Sequence, residues 1–186
     1  FESKENIIAL AIKGYFEAFD RAMKPQFEQA SFAGSLEYQV TTTLRNQAIP
    51  NYVRAVAALY FSPSLHPDIR KVLLDIGTCS WGPWLETIML QRQIRKGVDL
   101  RGLLLDISNL QFAKVHEWGL GELDDDAFLD RTLDGVLLLL MGATRGAAHS
   151  EARGAFTRLK RSPEFRDLLV RDAQTRISII PAEHSE

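Results

Sequence analysis

The chain has 186 residues, of which 46% are hydrophobic and 25% are charged. These proportions are ordinary for a globular protein and exclude a chain that is disordered throughout. Its 22 basic and 24 acidic residues give a net charge of -2, which argues against this segment itself binding the phosphate backbone of a nucleic acid.

The residue types that bind metals or form disulfides are scarce. The single cysteine, Cys79, excludes an internal disulfide framework and a multi-cysteine zinc site. The four histidines show no metal-ligand spacing: His66, His116, His149 and His184. The longest strongly apolar run, 136–141, is too short to cross a bilayer. The sequence therefore predicts a cytoplasmic protein with no cofactor, no metal and no membrane association.

The first predicted helix begins at the N-terminus of the chain. Apolar residues recur at three- and four-residue spacing from Ile7 to Ala22, which indicates one buried helix face. Ser3 is the predicted N-cap, and Glu5 carries negative charge where the helix dipole favours it. Phe1 precedes this cap by two residues and could pack back onto the helix. An ordinary capped helix would have the same pattern.

Three further helices are predicted before residue 97. A turn at 31–34 precedes a helix at about 36–47, and Pro50 opens a third helix that continues to about residue 61. Pro67 opens the fourth, which runs over 68–96 and stops at Gly97.

Pro83 falls inside this fourth predicted helix. A proline there kinks the helix and leaves the carbonyl of Cys79, four residues earlier, without a helical donor. We hypothesise that this carbonyl forms the polar corner of an apolar pocket, together with Thr78 and the indole of Trp81. The alternative is a kink that only wraps the helix around the core.

Two long helices are predicted at 100–118 and 128–149, the second capped by the acidic run 124–126. The second is apolar or small on nearly every side, and Gly142 and Gly146 lie one turn apart. This pattern favours a homodimer in which the two helices pack against a second copy, whereas the alternative is a core helix within one chain. The predicted interface residues are Leu103, Ile107, Leu110, Val136, Leu140, Gly142, Ala143 and Gly146.

A last helix is predicted over 153–170, with Ser162-Pro163 inside it or between two pieces. The main domain is then 3–172, and 173–186 is predicted to be a disordered tail. The overall fold class is all-α.

The first eight residues, FESKENII, resemble a junction found in TetR-family transcription regulators. The resemblance rests on Phe1, Ser3, Lys4, Glu5 and Ile7, at the point where the DNA-binding helices of that family lead into the first helix of the ligand-binding domain. It implies a TetR-type regulatory domain, a multi-helix bundle with a two-helix dimerisation face. Residues 1–2 would be the remnant of a helix-turn-helix domain, and operator DNA would be bound through an N-terminal domain not in this chain. The matching residues imply no base contact.

The resemblance also implies an effector cavity among the first, third, fourth and fifth helices. The mixture of apolar and isolated polar residues on these helices suggests a small hydrophobic or amphipathic effector. The candidate ligand-binding residues are Phe16, Phe19, Thr78, Cys79, Trp81, Leu85, Asn109, Phe112 and His116. For each aromatic residue, plain core packing is the competing interpretation.

We therefore predict a ligand-responsive transcriptional regulator, most often a repressor in this family, and not an enzyme. A helical small-molecule carrier or sensor without DNA binding is the alternative. An enzyme would require Cys79 as nucleophile with His116 as its base, and a buried inert thiol is the simpler interpretation of that cysteine.

Overall fold

The computed structural model describes residues 4–63 and 65–178, and within these ranges the chain is all-helical, as predicted. The described residues form nine α-helices, with one turn of 3-10 helix, Lys24–Gln26, after the first. The helices are α1 Lys4–Met23, α2 Phe32–Ala48, α3 Pro50–Tyr60, α4 Pro67–Thr78, α5 Gly82–Leu90, α6 Leu100–Gly119, α7 Asp125–Ala143, α8 Gly146–Arg161 and α9 Pro163–Ser178.

The helix starts follow the capping residues in the sequence. The Oγ atom of Ser31 accepts a hydrogen bond from the backbone N–H of Gly34 at 3.0 Å, so α2 begins at Phe32. Asp124 caps α7 in the same way through the N–H of Ala127 at 2.7 Å, which confirms the predicted role of the acidic run. The proposed cap at Ser3, with Phe1, lies outside the described residues.

The predicted helix 68–96 is wrong, because the chain breaks between Thr78 and Gly82 into α4 and α5. Pro83 lies in the first turn of α5, where its missing N–H costs no helical hydrogen bond. The kink hypothesis for Pro83 is therefore also wrong. Helix α5 ends at Leu90, so Gly97, with a φ of 89°, lies in the following loop and is not the helix stop.

The predicted helix 128–149 also contains a break. Helix α7 ends at Ala143, Thr144 is extended, and Gly146 begins α8 with a φ of 63°. Gly142 and Gly146 therefore do not share one helix face. Ser162 lies between α8 and α9, the second of the two arrangements left open by the sequence, and α9 continues to Ser178, so the predicted disorder is wrong for 173–178.

The core divides into three clusters of buried side chains, two large and one small. The larger joins α2, α5, α6, α7, α8 and α9 around Trp81, Leu85 and Leu137. The second joins α1, α3, α4 and the C-terminal half of α6 around Leu73 and Phe112. Helix α6 contributes to both large clusters, and Gly77 of α4 lies against it at their crossing.

Most of the predicted interface residues lie in the core of the single chain. The larger cluster buries Leu103, Ile107, Val136, Leu140 and Ala143. Leu110 packs against that cluster, beside Gly135. The alternative of an intramolecular core helix therefore describes α7, and these buried residues cannot form a dimer surface in this conformation. Gly142 and Gly146 are exposed.

None of the helices in the described part of the chain is long and apolar enough to cross a membrane.

Candidate ligand cavity

A cavity lies beside the second core cluster, among α1, α2, α3, α4 and α6. Its volume is about 50 Å³. Pockets for small organic ligands usually measure about 300–1,000 Å³. A ligand larger than a few atoms would therefore bind here only if the surrounding helices move apart.

The cavity wall is mostly apolar. Its apolar residues are Phe16 and Phe19 from α1, Val53 and Val56 from α3, Ile76 from α4, and Phe112 and Val115 from α6. The α4–α5 break adds Cys79 and Ser80, and the polar residues of α2 in the wall are Thr42, Arg45 and Asn46. A wall of this kind favours a ligand with a large apolar part and few polar groups.

Arg45 is the single cationic residue of the wall, and it is only 6% exposed. Its guanidinium carbon lies 4.3 Å from the ring centroid of Tyr15, 4.7 Å from that of Phe16 and 4.4 Å from that of Phe19. Cation–π contacts at such distances stabilise a positive charge. Desolvation lowers the pKa of Arg45, and the neighbouring tyrosines offset only part of this.

Three polar atoms at or near Arg45 are buried without a hydrogen-bond partner. They are Nη2 of Arg45, Oδ1 of Asn46 and the hydroxyl oxygen of Tyr52. Burial raises the pKa of Tyr52 to about 12, so its hydroxyl is neutral at physiological pH. Buried polar groups are normally hydrogen-bonded, so three such atoms in one region are unusual.

A chain of hydrogen bonds through Gln39 and Gln111 fixes another part of the wall. The indole N–H of Trp81 donates to Oε1 of Gln39 at 3.0 Å, and Nε2 of Gln39 donates to Oε1 of Gln111 at 3.4 Å. Gln111 in turn donates to the carbonyl of Gly77 at 3.1 Å. These bonds connect α2, α4 and α6 to the α4–α5 break, so hydrogen bonds within the protein fix the position of this part of the wall.

Asp20 is the one acidic residue of the wall, and it is already paired. One carboxylate oxygen lies 2.7 Å from Nζ of Lys24, and the other accepts a hydrogen bond from the Tyr38 hydroxyl. Because Tyr38 is on α2, this bond joins the C-terminal part of α1 to α2. Phe19, Met23, Phe27 and Tyr38 form a small buried cluster around it.

Four of the nine predicted ligand residues line the cavity: Phe16, Phe19, Cys79 and Phe112. The other five lie elsewhere. Trp81 and Leu85 are buried in the larger cluster, and Thr78 bonds back to the carbonyl of Asp75. Asn109 accepts a hydrogen bond from Tyr60, and His116 is exposed and packs against Phe61.

The thiol of Cys79 is not activated. Burial raises its pKa to about 12, so it stays protonated at neutral pH. His116, its suggested base, is not part of the same wall. No group of three metal-binding side chains occurs in the ranges that the structure describes.

Sequence reasoning missed Arg45, which is the most distinctive residue of the wall. Arg45 has polar neighbours such as Thr43 and Asn46, and a segment of this composition is typical of a solvent-exposed helix surface. The available signal was its spacing from Tyr38 and Thr41, since positions separated by three and four residues share one helix face.

Comparison of the chain with models of protein families, with curated proteins and with solved structures gave no match.

Proposed function

We propose that this chain is the effector-binding and dimerisation domain of a TetR-type transcriptional regulator. In this proposal a small hydrophobic or amphipathic effector releases the repressor from its operator. The observation that carries the proposal is the position of the cavity. It lies against α1, the helix that begins within the TetR-like junction residues.

Helix α1 would couple ligand binding to DNA binding. It contributes Phe16, Phe19 and Asp20 to the cavity wall, and the same helix begins at Lys4. A ligand that contacts this wall differently in two positions of α1 would shift the balance between them. In a dimer, the two DNA-binding domains would then change their separation, and operator half-sites about 34 Å apart tolerate little such change.

The proposed homodimer would use the exposed side of α7. Leu138 is 53% exposed there, and Gly142, one turn later, has no atom within 4 Å of the position its Cβ would occupy. An apolar side chain next to a glycine allows a second helix to approach closely. This surface replaces the buried α6 and α7 residues of the sequence-based prediction.

The test uses the full-length gene product, including everything encoded before Phe1. DNase footprinting on the DNA flanking its own gene should give a protected site, with two halves related by twofold symmetry. The expected protection is lost when salt is raised, because phosphate contacts dominate such binding. A full-length protein that protects no specific site contradicts the proposal.

A carrier or sensor without DNA binding is the competing function, since the cavity alone would serve it equally well. That function predicts ligand binding with no footprint, so the same experiment separates the two.

A further inference from the structure

Arg45 is a buried cation without a carboxylate partner among the described residues. The salt bridges of that part of the chain, defined by a separation of at most 4.0 Å, do not include it. Asp20 shares the same wall, but Lys24 already neutralises it. A positive charge therefore remains uncompensated inside the cavity wall.

The aromatic rings around Arg45 do not fully offset the free-energy cost of burying its positive charge. They stabilise the charge through their faces, but a guanidinium has five N–H donors that also require acceptor oxygens. Nη2 of Arg45 lacks any acceptor, although the side chain is more than nine-tenths buried. Leaving a buried charged donor unpaired is destabilising. A ligand that supplies an acceptor oxygen to Nη2 would remove this destabilisation.

The wall also limits what this ligand can be. Arg45 is its single cation, so one negative charge is balanced and a second would face the carboxylate of Asp20. The rest of the wall requires an apolar body. A monocarboxylate meets both conditions, because its two oxygens match the guanidinium fork.

We propose that this site binds a small amphipathic carboxylic acid, with its carboxylate on Arg45 and its apolar part between α1, α3 and α6, which separate to admit it. Asn46 lies next to Arg45 in the same wall, and its Oδ1 is also unpartnered. It would accept a hydrogen bond from a donor group of the same ligand. This inference rests on the proposed effector function and names the chemical class of the effector.

The test compares acids with amides of nearly equal shape. Calorimetric titration of the full-length protein would use decanoate and cinnamate against decanamide and cinnamamide. We expect the acid of at least one pair to bind about tenfold or more tightly than its amide, as charge-assisted hydrogen bonds predict. This comparison needs no variant, so it does not depend on whether a substituted protein folds.

Two variants then assign the preference to Arg45. Arg45→Gln should remove the difference between acid and amide. Arg54→Gln is the matched control, since Arg54 also lies over an aromatic ring, 5.5 Å from Trp118, but outside the cavity wall. It should keep the preference.

Equal binding of acid and amide to the unaltered protein would overturn the role of Arg45 while leaving a ligand cavity intact. Binding of neither class, or a preference that persists in Arg45→Gln, would also overturn it. None of these results depends on the footprint, so failure of this inference is distinguishable from failure of the proposed DNA-binding function.

Discussion

Helices α4 and α6 approach each other closely at Gly77. A Cβ atom built on it would lie 2.1 Å from Oγ of Ser108, which is fully buried. No side chain can be added there unless one of the helices moves. The carbonyl of Gly77 also accepts the hydrogen bond from Gln111, so such a movement would reach the cavity wall.

We expect Gly77→Ala to lower the free energy of unfolding by about 1–3 kcal/mol, the usual cost of overpacking a core. Urea denaturation monitored by circular dichroism measures it. Gly14→Ala is the matched control, because Gly14 lies inside α1 with nothing within 4 Å of the added methyl group. It should stabilise the protein by about 0.5–1 kcal/mol. Equal effects of both changes would contradict the close crossing.

Cys79 gives a prediction about pH. Burial raises the pKa of its thiol from 9.0 to about 12, so the folded chain keeps a proton that the unfolded chain releases. Stability should therefore fall as the pH rises from about 9 to about 12. In Cys79→Ala, the free energy of unfolding should fall less steeply over this pH range than in the unaltered protein. The same pH dependence in both proteins would contradict the raised pKa of Cys79.

The raised pKa should also slow the reaction of Cys79 with thiol reagents, although this residue is only partly buried. Iodoacetamide attacks the thiolate, so its reaction with the native protein at pH 8 should be slow and should accelerate in denaturing urea. Mass spectrometry of timed samples measures both rates. Rapid alkylation of the native protein would mean that the pKa of the thiol is not raised.

At the scale of elements, the loop after α5 determines how α8 begins. Arg145, the N-cap residue of α8, makes no side-chain cap, and Oε1 of Gln93 accepts from the N–H of Ala148 at 2.7 Å instead. The N–H of Arg145 donates to the Gln93 carbonyl at 2.8 Å, and Ile94 pairs with Thr144 in one antiparallel bridge. A loop distant in sequence thus fixes the turn between α7 and α8.

Gln93→Ala should therefore cost about 1 kcal/mol of stability, as the loss of a helix cap does. Gln91→Ala is the matched control, since it removes an exposed side-chain bond to Gln93 and leaves the cap in place. Thermal unfolding of the two variants measures the difference. A larger loss for Gln91→Ala would contradict the capping role of Gln93.

Helix existence could be predicted from the sequence, whereas two of the helix ends could not. Periodic apolar residues and the caps at Ser31 and Asp124 mark the helices locally. The breaks after Thr78 and Ala143 occur in sequences that continue the helical pattern. They depend on distant partners: the loop residues 92–95 hold the second, and Gln39 holds Trp81 at the first.

The candidate site was predictable to a similar extent. The resemblance to the TetR family implied a cavity, and three of the aromatic residues assigned to it, Phe16, Phe19 and Phe112, line the cavity of the structure. The role of Arg45 depends on three rings from another helix. No local pattern in the sequence of α2 predicts that contact.

At the scale of the whole molecule, the dimer proposal leads to one variant. Gly142→Leu should leave the chain folded, because open space surrounds Gly142 and leucine favours a helix more than glycine does. We expect it to break the proposed homodimer and weaken operator binding by the full-length protein. Light scattering coupled to size exclusion measures the mass, and the footprint measures the binding.

Gly154→Leu is the matched control for this variant. Gly154 is exposed on α8 and also has open space around it, so the same change there should leave the dimer intact. A dimer that survives Gly142→Leu would rule out the exposed side of α7 as the interface.

Helix α1 is held by the core along one face and keeps apolar side chains on the other. Ile12 is buried in the second cluster and Asp20 is bonded to Tyr38, whereas Ile7 and Leu10 on the outer face are 58% and 56% exposed. A movement of α1 therefore also moves the second cluster and the cavity wall. The distance from Asp20 back to Lys4 is about 24 Å at the rise of an α-helix. A rotation of about 10° about the Asp20 end would move the Lys4 end by about 4 Å, more than the spacing of about 3.4 Å between successive phosphates of a DNA strand. In the proposed regulator, a rearrangement of the cavity wall would thus displace an attached DNA-binding domain by more than that spacing.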